Sequence, residues 1–124
     1  MRRIDLITQA CDPKTLTVGQ LMQDALFTCT AQTDALTIGR LMTKQNFGGL
    51  PVVAEDSSLV GLVTEYDLLQ AMIEGRDLRK VFASEIMTTQ PLTARENMTL
   101  EEVANLFQDR YVTRLPVVRG KQLV

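Results

Sequence analysis

The sequence predicts an α+β chain: two tandem copies of one strand-helix-strand-strand-helix unit, with small mixed sheets packed against helices and a pseudo-two-fold between the copies. Three observations predict it. The run Leu-Pro-Val-Val occurs at Leu50–Val53 and again at Leu115–Val118, an offset of 65. The same offset carries Val18–Ala54 onto Ala83–Arg119 without a gap, so that Leu21-Met22 falls on Ile86-Met87, Phe27-Thr28 on Leu92-Thr93, Ile38 on Val103, Leu41-Met42 on Leu106-Phe107 and Phe47 on Val112. Each copy also opens its helix with a good N-cap, Asp34 in the first and Thr99 in the second. A repeat of this length is one supersecondary unit, too small to bury its apolar face alone.

Taken in order, each copy begins with a short helical turn ending in Met22 or Met87 and a brief extended segment, Ala25–Thr28 or Pro91–Thr93. After a polar turn comes the helix. "TLEE" at Thr99–Glu102 is a capping box. The apolar positions Ala35, Ile38, Leu41 and Met42, and Leu100, Val103, Leu106 and Phe107, recur at helical spacing and define a buried stripe. Leu50–Ala54 and Leu115–Arg119 are β-branched strands with a proline near the start, where a missing N–H is tolerated. In the first copy "EDSS" turns the chain into a second strand, Leu59–Val63. A closing helix follows from Thr64 to about Glu74, with Gly75 placed to end it. In the second copy "RGKQ" is the matching turn, and Leu123-Val124 falls at the start of the equivalent strand. The closing strand and helix of that copy, and with them the hairpin partner of Leu115–Val118, are expected to be absent. The organisation is an N-terminal leader over 1–15, a first copy over 16–76 and an incomplete second copy over 77–124.

Composition narrows the function classes. The chain has 124 residues, is 45% apolar and carries a net charge of −2. No Lys/Arg block or basic amphipathic stretch would gather nucleic acid or anionic membrane. No run is long enough for a signal peptide or a membrane span, so the expected location is cytoplasmic. Cys11 and Cys29 lack metal or redox spacing, and there is no histidine, which removes imidazole metal sites and His-based triads. Glu55, Asp56, Glu65, Asp67, Glu101 and Glu102 are scattered over turns and helix starts, with no nucleophile or metal partner to form a catalytic pair. The expectation is a non-enzyme with no required cofactor.

The element order, the paired "LPVV" strands, the "IM" before the second copy with "LM" at the same place in the first, and "GLVTEYD" at Gly61–Asp67 together resemble the CBS domains, which occur in tandem pairs called Bateman modules. "GLVTEYD" fits the family pattern Gly-apolar-x-Thr/Ser-x-x-Asp. The resemblance runs from about Leu16 onward. It implies a regulatory module that binds an adenine nucleotide (AMP, ADP or ATP) or another adenosyl compound in a cleft between the two copies.

Carried over position by position, the resemblance implies that Asp67 holds the ribose hydroxyls and Thr64 lies near the phosphate. A carboxylate can accept both hydrogen bonds of a vicinal diol, and a helix start offers N–H groups to an anion. Thr64-x-x-Asp67 is equally a plain helix N-terminal motif, and the two roles are compatible. Pro91, Leu92 and Thr93 map onto the adenine contacts, Thr113 and Arg114 onto the phosphate side, and Leu62 and Tyr66 onto the flanks of base and sugar. Arg114 has the fork geometry for phosphate, although an Arg before a buried strand is also an ordinary surface residue. The symmetric site has Gly48 and Gly49 where a charge would stand, with Phe27 and Thr28 as an apolar floor, so one competent site per chain is expected.

The resemblance also implies a homodimer, which would cover apolar surface left by the missing closing elements, and a regulated enzyme or transporter as partner. The alternative is a dimerisation or spacer module that binds no ligand.

Overall fold

The computed structural model describes residues 14–21, 27–45, 48–110 and 115–124. Cys11, Met22, Ala25, Phe47, Val112, Thr113 and Arg114, all named above, lie outside the described residues. In chain order the elements are α1 (Val18–Leu21), α2 (Ala35–Gln45), β1 (Gly49–Val53), β2 (Leu59–Thr64), α3 (Glu65–Ile73), a 3-10 turn (Leu78–Lys80), α4 (Ala83–Ile86), β3 (Thr88–Thr89), α5 (Leu100–Arg110), β4 (Val118–Arg119) and β5 (Gln122–Leu123).

These elements assemble into two units that interleave along the chain. The first half's sheet and helices join the segment leading into the second copy, Phe27 to Pro91. The N-terminal segment joins the second half, from Leu92 onward.

In the unit spanning Phe27–Pro91, the helix caps form where the sequence places them. Asp34 accepts the Thr37 N–H at 3.0 Å and the Thr37 hydroxyl at 2.7 Å, which fixes the start of α2. Period 3.6 then buries Ala35, Ile38 and Met42, while Leu41 is only half-buried at the edge of the stripe. β1 and β2 pair antiparallel, Leu50 opposite Val63 and Val52 opposite Gly61, with a register shift after Val52. Leu50, Val52 and Val63 point to the same core as Ile38, Met42, Cys29 and Ala83. β3 adds antiparallel to β2, giving the order β1-β2-β3.

The extended segment meets β1 one residue later than the sequence suggests. Cys29 bridges Val52 in parallel: its N–H donates to Pro51 O at 2.9 Å, and its carbonyl accepts from Val53 N–H at 2.8 Å. Pro51 gives up only a donor, so its carbonyl still takes part. Ala94 does the same with Val117 in the second copy, donating to Pro116 O at 2.9 Å and accepting from Val118 N–H at 2.9 Å. Both residues are small and buried, which lets the backbones meet.

The turns and strand ends differ in detail. "EDSS" closes through Ser57 at φ 69° and Asp56, which accepts from the Ser58 N–H and hydroxyl. "RGKQ" closes through Gly120 at φ 66°, where glycine carries no steric cost. The strand expected over Leu115–Arg119 shrinks to β4, with Val117 just before it bridged in parallel to Ala94. Its partner is begun rather than absent: β5 pairs with β4, and Val124 N–H reaches Val117 O at 2.9 Å.

The other unit repeats this geometry at the same offset. Leu100 N–H donates to Leu16 O as Ala35 N–H does to Val81 O, at 2.8 and 2.7 Å. Thr17 bridges Thr99 as Phe82 bridges Asp34. Val18 N–H donates to Met98 O as Ala83 N–H does to Thr33 O, and Gly19 to Glu96 as Ser84 to Ala31. Thr99 and Glu102 form the expected capping box, with Glu102 N–H on the Thr99 hydroxyl at 3.2 Å. Among the described residues Leu16, Ala94, Val103 and Pro116 are buried in this unit, whereas Leu100, Leu106 and Phe107 are half-buried.

Because Leu16 is 4% exposed and closes the α5 unit, Leu16→Ala is expected to cost about 2–5 kcal/mol in urea unfolding. Hydrogen exchange on the same variant should speed up in α5 before α2. Equal loss of protection in both helices would contradict the assignment of Leu16 to that unit.

Candidate functional site

The described parts of the candidate site centre on the junction of β2 and α3. Thr64 ends the strand opposite Gly49 and caps the helix from an extended backbone, φ −114° and ψ 168°. Its N–H donates to Asp67 Oδ2 at 2.8 Å and its hydroxyl to the same oxygen at 3.1 Å. Glu65 N–H donates to Gly48 O at 3.1 Å. Both Thr64 bonds fall on Oδ2, so Asp67 keeps Oδ1 for a further donor while holding the helix start. The capping role read from the sequence is therefore present, and it leaves acceptor capacity on the carboxylate.

Leu62 sits one turn of the pleat before Thr64, half-buried, between Pro51 and Thr88 in the sheet. Tyr66 is exposed on the outer side of α3. Pro91 follows β3 and Gln90, whose φ of 49° turns the chain out of the sheet; Pro91 is half-buried in the same unit. Leu92 and Thr93 are half-buried in the other unit, directly before the Ala94 bridge. Thus Leu62, Thr64, Tyr66 and Asp67 share one strand-helix junction. Thr113 and Arg114 lie outside the described residues.

The glycine of the motif has a packing reason. A Cβ on Gly61 would stand 2.5 Å from Met87 Sδ and 3.1 Å from Thr88 O, so β3 approaches β2 only because position 61 carries no side chain. That contact sets where the chain leaves the sheet toward Pro91.

Sequence reasoning missed the outward face of α3. Among the described residues the exposed large apolar side chains are Phe27, Tyr66, Leu69, Met72, Ile73 and Phe82. They do not lie on β4 or β5 of the second copy, beside which exposed apolar surface was expected. Leu115, Val117, Val118, Leu123 and Val124 are half-buried instead. The only signal was the nearly continuous apolar run Leu68, Leu69, Ala71, Met72 and Ile73, which reads as core until burial is known.

Two carboxylates at other helix starts of the same unit serve the fold. The Thr37 hydroxyl and N–H hold Asp34 below the usual carboxylate range. The Phe82 N–H, at 2.7 Å, and then Arg76, at 2.6 Å, do the same for Glu85. The Arg76–Glu85 pair ties the chain after α3 to α4. Burial pushes the Cys29 thiol up to about 11, which keeps it protonated and unreactive at neutral pH. Among the described residues no cluster of His, Cys, Asp and Glu could hold a metal ion, and no helix is long and apolar enough to cross a membrane.

Comparison with known proteins matches this geometry to a family. The CBS domain model fits residues 18–74 and 83–124, and the chain belongs to the CBS domain family. It is 31% identical over 107 residues to the uncharacterised protein YlbB of Bacillus subtilis (strain 168), covering 86% of this chain and 72% of that one. Two other curated relatives are matched over 54% and 59% of their length, so this chain spans roughly half to three quarters of these relatives. The CBS domain pair of MJ0100, solved with 5′-methylthioadenosine and S-adenosyl-L-methionine, superposes with a TM-score of 0.81 at 25% identity, covering 89% of this chain and 86% of that one. CBSX2, solved with AMP, superposes with a TM-score of 0.75 at 30% identity, covering 88% and 87%.

The depressed carboxylates set an acid limit on stability. A group whose folded pKa is lowered contributes stability above its unfolded pKa and loses it as pH falls through the folded one. Melting temperature is therefore expected to be flat above about pH 5 and to fall below about pH 4. A variant carrying Asp34→Asn and Glu85→Gln, which keeps both acceptors, should show a shallower acid slope; parallel slopes would assign the acid sensitivity elsewhere.

Proposed function

We propose that the chain is a cytoplasmic regulatory module that senses an adenosyl ligand, with Asp67 on the ribose hydroxyls and Thr64 beside the phosphate or its equivalent. The observation that supports this reading most is Asp67 itself, whose Oδ2 caps α3 while Oδ1 remains for a diol. CBS domain pairs of similar fold have been solved with AMP and with S-adenosyl-L-methionine and 5′-methylthioadenosine, which supports the ligand class. In this proposal Leu62, Tyr66 and Pro91 line the base and sugar. Leu92, Thr93, Thr113 and Arg114 are the contribution of the second copy, with Arg114 as the cation for a phosphate.

The module is proposed to transmit occupancy to a regulated enzyme or transporter and to perform no chemistry of its own. The outward apolar face of α3 favours a second reading, a dimerisation or spacer module without ligand.

Calorimetry with adenosine, AMP, ADP, ATP and S-adenosyl-L-methionine tests the proposal. The parent protein should bind at least one of them. Asp67→Asn should weaken that ligand while leaving melting nearly unchanged. If melting falls sharply and binding is untouched, Asp67 serves only as a cap.

Arg114→Ala discriminates further. A charge-assisted phosphate contact is worth about 1.5–3 kcal/mol, so this variant should weaken AMP, ADP or ATP about ten- to hundredfold and spare adenosine. Equal losses for adenosine and AMP would place Arg114 in the fold, and no binding by the parent to any of the five would leave the spacer reading.

A further inference from the structure

The methionine of "IM" before the second copy, Met87, ends α4, where its N–H donates to Ala83 O at 2.8 Å, and the next residue starts β3. Its half-buried side chain lies over Gly61, so close that a Cβ there would stand 2.5 Å from Sδ and 2.9 Å from Cγ. The thioether thus fills the volume that a side chain at position 61 would take, on the core side of the sheet. β3 joins β2 at two positions only, Thr89 opposite Gly61 and Thr88 opposite Leu62. The seating of this short strand therefore depends on what lies over Gly61.

The other described methionines lack this combination. Of the six in the chain, Met1 and Met22 lie outside the described residues. Met42 is 4% exposed, in the core. Met72 is 58% exposed on the outer side of α3, where an added oxygen would meet water. Met98 is half-buried, but its sulfur already accepts the Arg95 N–H at 3.2 Å, so a sulfoxide oxygen would find a donor beside it. Met87 is open in part to solvent and is packed against the apolar cluster that holds Ile38, Leu50, Val52 and Val63. Its sulfur accepts no hydrogen bond among the described residues.

We propose that Met87 is a site of reversible oxidation by hydroperoxides, and that its sulfoxide releases β3 from β2. In the forward step the sulfur lone pair attacks a peroxide oxygen, the O–O bond breaks and an S–O bond forms. The proton of the transferred oxygen passes to the departing hydroxide, which leaves as water; sulfur is oxidised and the peroxide reduced. A thiol-dependent sulfoxide reductase reverses it, the oxygen leaving as water while thiols become a disulfide. Oxidation replaces an apolar, pliable group by a polar one. Against Gly61 there is no room for the added oxygen, and a polar atom pressed into apolar packing without a donor is costly. Gap-filling accounts for a slim, unbranched side chain at 87; the accessible sulfur and the glycine beneath it add the chemistry. Because Pro91 leaves the sheet directly after β3 and Gln90, release of the strand also moves one wall of the candidate ligand site. That consequence rests on the proposed ligand reading, whereas the oxidation and the release do not.

The test treats the full chain with hydrogen peroxide in the absence of nucleotide and follows oxygen uptake and amide exchange by peptide mass spectrometry. Met72 and Met87 should gain oxygen well before Met42. Exchange over β3 should then rise about tenfold or more while Leu50 and Val52 keep their protection. Met72→Leu should leave this response intact, Met87→Leu should abolish it, and a methionine sulfoxide reductase should reverse it. Should Met87→Leu itself loosen β3, the Met72→Leu chain decides, because its exchange is read against the fraction of Met87 that carries oxygen. The proposal is overturned if Met87 oxidises no faster than Met42, or if oxidised Met87 leaves β3 exchange as in the untreated chain. Calorimetry with AMP and S-adenosyl-L-methionine reads the consequence for the site: oxidation should weaken whichever of them the parent binds by about tenfold or more. Unchanged binding by a chain whose β3 is released would overturn the link to the site, and a parent that binds neither would strike the ligand reading while exchange still decides the release.

Discussion

Two backbone hydrogen bonds organise the molecule: Ala35 N–H to Val81 O at 2.7 Å, and Leu100 N–H to Leu16 O at 2.8 Å. The first amides of a helix have no partner within it, so each helix start must find an acceptor elsewhere. In both units that acceptor comes from a segment preceding the other copy in sequence. The consequence is topological. Neither unit can finish its helix start from its own contiguous repeat, so the chain must run through one unit before it can complete the other. Val81 and Leu16 are both buried where they do this, which adds apolar contact to the hydrogen bond.

This exchange explains which parts of the fold were legible in the sequence. Asp34 with Thr37, Thr99 with Glu102, and Thr64 with Asp67 are local arrangements, three residues apart, and local spacing announces them. The positions of Ile38, Leu50, Val52 and Val63 follow from periods of 3.6 and 2. The segment Leu16–Val18 is different: its period is too short to show a face, and nothing in it says which copy it will pack on. The pairing of Cys29 and Ala94 was similarly hidden, because a single parallel bridge is set by where two buried backbones meet and leaves no pattern along the chain.

Of the candidate site, the half on β2 and α3 could be read because one motif holds it. Gly61, Thr64 and Asp67 each have a local structural reason: close approach of β3, the end of a strand, and the cap of a helix. Those reasons do not exclude a ligand. A carboxylate fixed by its cap is held in one orientation, and an acceptor already oriented loses less freedom when a hydroxyl arrives. The outward face of α3 escaped notice for the opposite reason. Leu68, Leu69, Ala71, Met72 and Ile73 form a nearly continuous apolar run, and such a run in a short helix reads as core until burial is known.

Helix α3 joins the candidate site to the core on nine residues. Its first turn holds Asp67, while Ala71 and Leu68 anchor it inward and Arg76 ties the chain beyond its C-terminus to Glu85. In the proposed reading a ligand on Asp67 therefore meets a short element that is fixed at both ends, and whatever its occupancy does to the first turn is passed to the packing of α3 on α2 without a separate relay.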